Sequence, residues 1–170
     1  NVLLHNRGDG TFSRITGNPM VTATGISGGA SWGDYDNDGR LDLIVTRTSA
    51  GCLFYHNEGG GAFRQITNPV ISMDTNAAGV SWGDYDNDGF PDLFVTTRAA
   101  THNYLFRNNG NGSFTKVAAG AIVTDTGESR ECTWGDFDND GFQDVVVSRV
   151  DGVRYYRNNG DGTFIKIANP

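Results

Sequence analysis

"WGDYDNDGRLDLIV", running from Trp32 to Val45, places four aspartates within nine residues at the mouth of an apolar strand. It returns as "WGDYDNDGFPDLFV" from Trp82 to Val95 and as "WGDFDNDGFQDVVV" from Trp134 to Val147. The tryptophans are 50 and 52 residues apart. A second marker keeps the same period: "HNRGDGTF" at His5, "HNEGGGAF" at His56, "RNNGNGSF" at Arg107 and "RNNGDGTF" at Arg157. Its asparagines Asn6, Asn57, Asn108 and Asn158 are spaced by 51, 51 and 50 residues. The whole chain is therefore one repeat of about 50 residues, and a period of that size marks a repeat architecture.

Each unit reads as four short strands. The first leads into the tryptophan ("GGASWGD"), the second is "LDLIVTR", the third "CLFYHN" and the fourth "AFRQIT". In the second, Leu41, Leu43 and Val45 share one face by the two-residue period of a strand. Gly with Asn or Asp between the third and fourth strands marks a hairpin, because these residues accept positive φ. No sustained helical period is present. Four antiparallel strands in about 50 residues is the size of a β-propeller blade; a β-solenoid or irregular β-sandwich is the alternative.

The expected class is thus all-β, with about three and a half blades in a single propeller region. Residues 1–17 form a half-blade of third and fourth strands, and 18–68, 69–118 and 119–170 form full blades. The closing Asn169–Pro170 matches Asn18–Pro19 and Asn68–Pro69, where units begin. Propellers close with about four to eight blades. The chain is read as part of a longer or oligomeric propeller, with open blade edges that invite pairing.

Written by position, the first loop is Asp34-x-Asp36-x-Asp38-Gly39-x-x-Asp42, with carboxylates at positions 1, 3, 5 and 9 and glycine at 6. Alternate residues of a tightly wound loop can aim oxygens at one centre. The carbonyl of position 7 (Arg40, Phe90 or Phe142) would add another. Hard oxygen donors on a flexible loop suit Ca²⁺; Zn²⁺ prefers Cys and His, and Mg²⁺ demands a stricter octahedron. The equivalent sets are Asp84, Asp86, Asp88 and Asp92, then Asp136, Asp138, Asp140 and Asp144. An EF-hand begins alike but needs Glu at position 12, where this chain has Val45, Val95 and Val147. An acidic solvated turn is the plain alternative; the threefold register of 12 aspartates argues against it. Unscreened, four such charges repel and oppose folding, whereas a bound ion turns binding free energy into folding free energy. The tryptophans are expected to pack beside these loops.

The charge distribution agrees. The net charge is −7, and 12 of the 20 acids lie in the three loops. The other 8 acids face 13 Lys and Arg, so the rest of the chain is about +5, and three divalent ions would bring −7 to −1. Acidity of this kind argues against a nucleic-acid partner, which needs a basic face. No apolar run approaches the ~18 residues of a membrane span. Cys52 and Cys132 occupy different places in the repeat and are read as two separate thiols.

"DYDNDGRLDL", "DYDNDGFPDL" and "DFDNDGFQDV", with the "N-x-G-x-G-x-F" hairpin, resemble the FG-GAP/VCBS repeats of the integrin α-chain N-terminal propeller type. The resemblance covers essentially the whole chain. It implies a Ca²⁺-stabilised propeller, secreted or on a cell surface, serving adhesion, lectin-like binding or an accessory role in a large extracellular protein. Seven blades are usual in that family, and this chain supplies half of that.

The expected function is a non-enzymatic extracellular module that binds a protein or glycan on one propeller face, with three structural Ca²⁺ sites. The alternative is a structural subunit that self-assembles through its open edges. Loops between second and third strands vary most ("TSAG" at 48–51, "RAATHN" at 98–103, "VDG" at 150–152), and variable loops on a rigid scaffold are where specificity can sit. Catalysis is disfavoured. His5 and His56 share a repeat position with Arg107 and Arg157, read as a strand-surface site, and His102 stands alone in a loop.

Overall fold

A computed structural model describes residues 1–48, 50–67, 76–99 and 101–168. The starts of units at Asn68–Pro69 and Asn169–Pro170, and parts of the 48–51 and 98–103 loops, lie outside these residues. The chain folds into β-propeller blades. Strands β1 (Leu4–Asn6) and β2 (Phe12–Arg14) form a two-stranded sheet. Blade 1 holds β3 (Ser27–Gly33), β4 (Asp42–Arg47), β5 (Leu53–Gly59) and β6 (Ala62–Ile66). Blade 2 holds β7 (Ala77–Gly83), β8 (Asp92–Thr97), β9 (Tyr104–Asn108) and β10 (Phe114–Lys116). Blade 3 holds β11 (Ser129–Gly135), β12 (Asp144–Arg149), β13 (Gly152–Asn158) and β14 (Phe164–Ile167).

Every blade is an antiparallel meander in which sequence neighbours pair. The aspartate loops and the third-to-fourth hairpins therefore share one end of each blade. The described residues between second and third strands lie at the other end. The first and second strands pair in one register throughout: Gly33 faces Asp42, Gly83 faces Asp92 and Gly135 faces Asp144. Each first strand carries an irregularity at the same place, between Ser27 and Ala30, Ala77 and Val80, and Ser129 and Cys132.

The core sits between blades. Tyr35, Ile44 and Phe54 of blade 1 pack with Val80, Leu93, Val95, Phe106 and Phe114 of blade 2. Tyr85, Phe94 and Leu105 of blade 2 pack with Val145, Val147, Tyr156 and Phe164 of blade 3. Leu43, Val45 and Tyr55 face the other way, toward Met20 and Leu3. The second strands are thus covered on both faces: residues 42–46 are all buried. The expected one-sided pattern of Leu41, Leu43 and Val45 gives way here, and Leu41 is exposed in the loop.

The expected place of the tryptophans is also corrected. Trp82 and Trp134 fill the seams between blades instead of flanking their own loops. A Cβ at Gly33 would stand 2.6 Å from Trp82 Cδ1, and one at Gly83 would stand 2.5 Å from Trp134 Cγ, so only glycine admits the next blade's indole. Trp82 also lies 5.9 Å from Phe54 of blade 1, ring centre to ring centre. Trp32 has Phe63 of its own blade beside it and is 45% exposed.

Two single-turn helices, α1 (Pro19–Thr22) and α2 (Ala121–Thr124), lead into first strands. Asn18 caps α1 by accepting from the Met20 N–H. Met20, Ile122 and Val123 plug the ends of the inter-blade cores.

Candidate metal centres

The three loops are wound alike. The fourth loop residue (Asn37, Asn87, Asn139) is left-handed, with φ of 57°, 56° and 59°. The glycine at position 6 (Gly39, Gly89, Gly141) has φ of 85°, 88° and 90°, which glycine adopts without strain. The first aspartate holds this coil. Asp34 accepts from the Asp38 N–H at 3.0 Å and the Gly39 N–H at 2.8 Å. Asp84 and Asp136 repeat both bonds with Asp88 and Gly89, and with Asp140 and Gly141. The fifth-position carboxylates, Asp38, Asp88 and Asp140, accept from the N–H of Arg40, Phe90 and Phe142.

The ninth aspartate is the anchor. Asp42, Asp92 and Asp144 open the second strands and are fully buried. Asp92 accepts from the Tyr85 N–H at 3.0 Å and the Asn108 N–H at 2.7 Å, so one carboxylate ties the loop, the second strand and the third. Asp42 and Asp144 make the same pair of bonds. Burial raises the Asp92 carboxyl to about 7 against the pull of these two bonds, and the charges of Asp86 and Asp88 add to the rise. Burial raises Asp42 and Asp144 as well.

Oxygens converge in each blade. Ligand atoms of Asp34, Asp36 and Asp38 lie within 4.8 Å of one another, as do those of Asp84, Asp86 and Asp92, and those of Asp136, Asp138 and Asp144. Asp88 and Asp140 fall outside these sets. Each holds an arginine: Arg107 Nη2 lies 3.0 Å from Asp88 and Arg157 Nη2 3.4 Å from Asp140. The side chains at position 7 lie along their own hairpins. Arg40 reaches the Asn57 carbonyl and pairs with Asp38, while Phe90 and Phe142 cover Gly110 and Gly160.

The donor set fits a hard divalent cation by an independent sign. Asp36 Oδ1 and Asp86 Oδ1 are buried and accept no hydrogen bond. A buried carboxylate oxygen without a donor is costly, and a cation relieves it.

The strand-surface reading of His56, Arg107 and Arg157 is corrected. These side chains face the loops. Arg107 Nε donates to Asp86 at 2.5 Å and Arg157 Nε to Asp138 at 2.6 Å. The signal was present in the sequence as a base at the same repeat position in every unit. The hairpin asparagine was also missed. Asn108 Nδ2 donates to the Tyr35 carbonyl and Asn158 Nδ2 to the Tyr85 carbonyl, both at 2.7 Å, locking each blade to the loop of the one before.

The FG-GAP-like repeat profile matches residues 1–45, 44–95, 84–147 and 136–170, the whole length of the chain. The chain belongs to the FG-GAP-like repeat family. Its matches run from one unit into the next, as the cross-blade bonds do. No curated protein matches the chain by sequence. Among solved structures, one comes from work on specific recognition of non-reducing terminal N-acetylglucosamine by an Agrocybe aegerita lectin. It is 21% identical with a TM-score of 0.58, covering 96% of this chain and 45% of that one. That neighbour is a propeller lectin, and it shares the fold of these FG-GAP-like units.

Proposed function

We propose that the chain is a Ca²⁺-stabilised, non-enzymatic ligand-binding propeller region, extracellular or on a cell surface. The region comprises the half-blade 1–17 and the units 18–68, 69–118 and 119–170. The observation that carries the metal reading is the pair of buried, unpartnered oxygens, Asp36 Oδ1 and Asp86 Oδ1, each in a loop of converging carboxylates. Asp34, Asp36, Asp38 and Asp42, with their equivalents, would hold the ions, aided by the carbonyls of Arg40, Phe90 and Phe142. The bound ion supplies positive charge where the loop concentrates negative charge. The residues do the rest: the first aspartate coils the loop and the ninth joins three segments.

A structural role follows from this placement. The first and ninth aspartates spend their oxygens on backbone N–H groups, which ties them to holding the loop and strands in place. The metal loops lie at one end of the blades, and the described residues 98–99, 101–103 and 150–152 of the variable loops lie at the other. Ligand recognition is assigned to the variable end, with a glycan as the first class to try because the neighbouring fold belongs to a glycan-binding lectin. A glycan array probed in Ca²⁺ and again in chelator tests this. Selective glycan binding that disappears in chelator is expected. Absence of any glycan binding by folded, Ca²⁺-loaded protein would redirect the reading to a protein ligand.

A second reading, self-assembly, is favoured by one contrast. Trp82 and Trp134 rest on the glycine of the preceding blade, whereas Trp32 is 45% exposed and the space over Gly135 is open. Each place suits another unit of the same repeat, and open blade edges invite pairing with a further chain. Sedimentation that shows concentration-dependent growth, abolished by Trp32→Ser, supports it; a monomer at all concentrations refutes it.

A further inference from the structure

The three loops do not present the same neighbour. In blades 2 and 3 an arginine bridges the third- and fifth-position carboxylates. A guanidinium has no lone pair and stays protonated, so it neutralises a loop without ligating anything. In blade 1 the position belongs to His56, and Asp38 is held instead by Arg40 from within the loop. His56 Nδ1 stands 3.2 Å from Asp42 Oδ1 and 3.4 Å from Asp36 Oδ2. It is buried and aligned for a hydrogen bond with neither, and Asp36 Oδ1 beside it is unpartnered too. One ligand atom each from Asp36, Asp42 and His56 lie within 4.8 Å of one another.

Three ligand atoms at this spacing, with no hydrogen bond from His56 Nδ1 to either carboxylate, are what a single cation would satisfy. Imidazole nitrogen is a borderline donor that favours zinc, cobalt and nickel, whereas oxygen alone favours calcium and magnesium. Two carboxylates and one imidazole also leave room for water, as open three-ligand zinc sites do. Asp42 Oδ1 accepts one hydrogen bond, from the Asn57 N–H at 2.7 Å, and keeps a second lone pair for an ion. The Tyr35 ring stands edge-on to the imidazole at 6.1 Å and limits its swing.

We propose that blade 1 carries a mixed nitrogen–oxygen site, Asp36, Asp42 and His56, that takes a borderline divalent ion of the zinc and cobalt class. The sites of blades 2 and 3 remain all-oxygen. The inference builds on the reading that these loops hold cations, but it concerns which ion the first one prefers. Its prediction is asymmetric: one unit of the repeat differs from the others in metal chemistry because one residue differs.

The test is a Co²⁺ titration of the untagged full chain, with and without Ca²⁺, followed by visible absorption. Wild type is expected to bind one Co²⁺ with a ligand-field band that reports nitrogen ligation. His56→Arg, which restores the residue type of the other units and so should fold, is expected to weaken that binding at least tenfold and lose the band. Arg107→His is expected to add a second equivalent in blade 2. A Cys52→Ser, Cys132→Ser double variant should keep the band, which separates this site from the thiols. Wild-type Co²⁺ affinity and spectrum in His56→Arg would overturn the proposal. A parallel Ca²⁺ titration keeps the two readings apart. Ca²⁺ binding without a His56-dependent band sinks this proposal alone, and a His56-dependent band without Ca²⁺ binding sinks the calcium reading alone.

Discussion

Asn108 of blade 2 donates a 2.7 Å hydrogen bond to the carbonyl of Tyr35, a loop residue of blade 1. The same side chain donates to the Pro91 carbonyl and accepts from the Gly110 N–H, while its backbone N–H serves Asp92. One fully buried asparagine thus joins a hairpin, its own aspartate loop and the loop of the preceding blade. Asn108→Ala leaves the Tyr35 carbonyl unpaired and should cost about 2–4 kcal/mol, since each stranded buried polar group costs about 1–3 kcal/mol. Asn57 makes the local bonds to the Leu41 carbonyl and from the Gly59 N–H, with no cross-blade bond among the described residues. Asn57→Ala should cost less, near 1 kcal/mol. Urea unfolding of both variants checks this, and equal losses would remove the cross-blade bond from the account.

The seam glycines give a paired prediction. Gly33→Ala drives a methyl into the Trp82 indole and should cost about 1–3 kcal/mol, the usual range for overpacking. Gly135 meets nothing within 4 Å, so Gly135→Ala in this chain should stay within about 0.5 kcal/mol of wild type. If both were neutral in thermal melts, the indole would not be held where it is described.

Much of this was legible in the sequence. The repeat length, the glycine-bearing hairpins and the aspartate spacing each announce a local structure, and local structure is what periodicity and turn chemistry encode. All four strands predicted for each unit formed, close to their expected positions. What escaped were relationships across a blade boundary. Leu41 seemed part of an alternating strand, but its strand is sandwiched between two neighbouring blades, which erases alternation. Trp82 seemed to belong to its own loop, because the glycine it needs, Gly33, is about one repeat away in the chain. His56 and Arg107 seemed superficial, because nothing in a linear reading aims a third-strand side chain at a first-to-second loop.

The pH response should depend on metal. The Asp92 carboxyl is raised to about 7, chiefly by burial, while an unfolded aspartate titrates near 3.9. A raised folded value means that this group's stabilisation is present below about pH 3.9 and is lost as pH rises through about 7. In chelator, the stability difference between wild type and Asp92→Asn should therefore shrink as pH rises from 5 to about 8. With Ca²⁺ the ionised carboxylate is the binding form, and the difference should grow instead. A pH-independent difference in chelator would show that Asp92 does not titrate there.

Calorimetry separates the sites. Asp86→Ala removes the third-position carboxylate of blade 2, whose Oδ1 is buried and unpartnered. With Ca²⁺ as the only divalent ion present, which the blade 1 site then takes as well, the count bound should fall from three to two, with the loops of blades 1 and 3 retained. Three undiminished sites would mean the ligand assignment is wrong.

The central claim is that bound cations staple these blades, and thermal melting of the full chain in Ca²⁺ and in chelator at neutral pH tests it most directly. At a hundredfold excess over Kd each site adds about 2.7 kcal/mol, so three sites add about 8 kcal/mol. For a chain of this size that raises Tm by about 15–30 °C. A rise of that order, reversed by chelator, is the predicted result. An identical Tm in Ca²⁺ and in chelator would contradict the account.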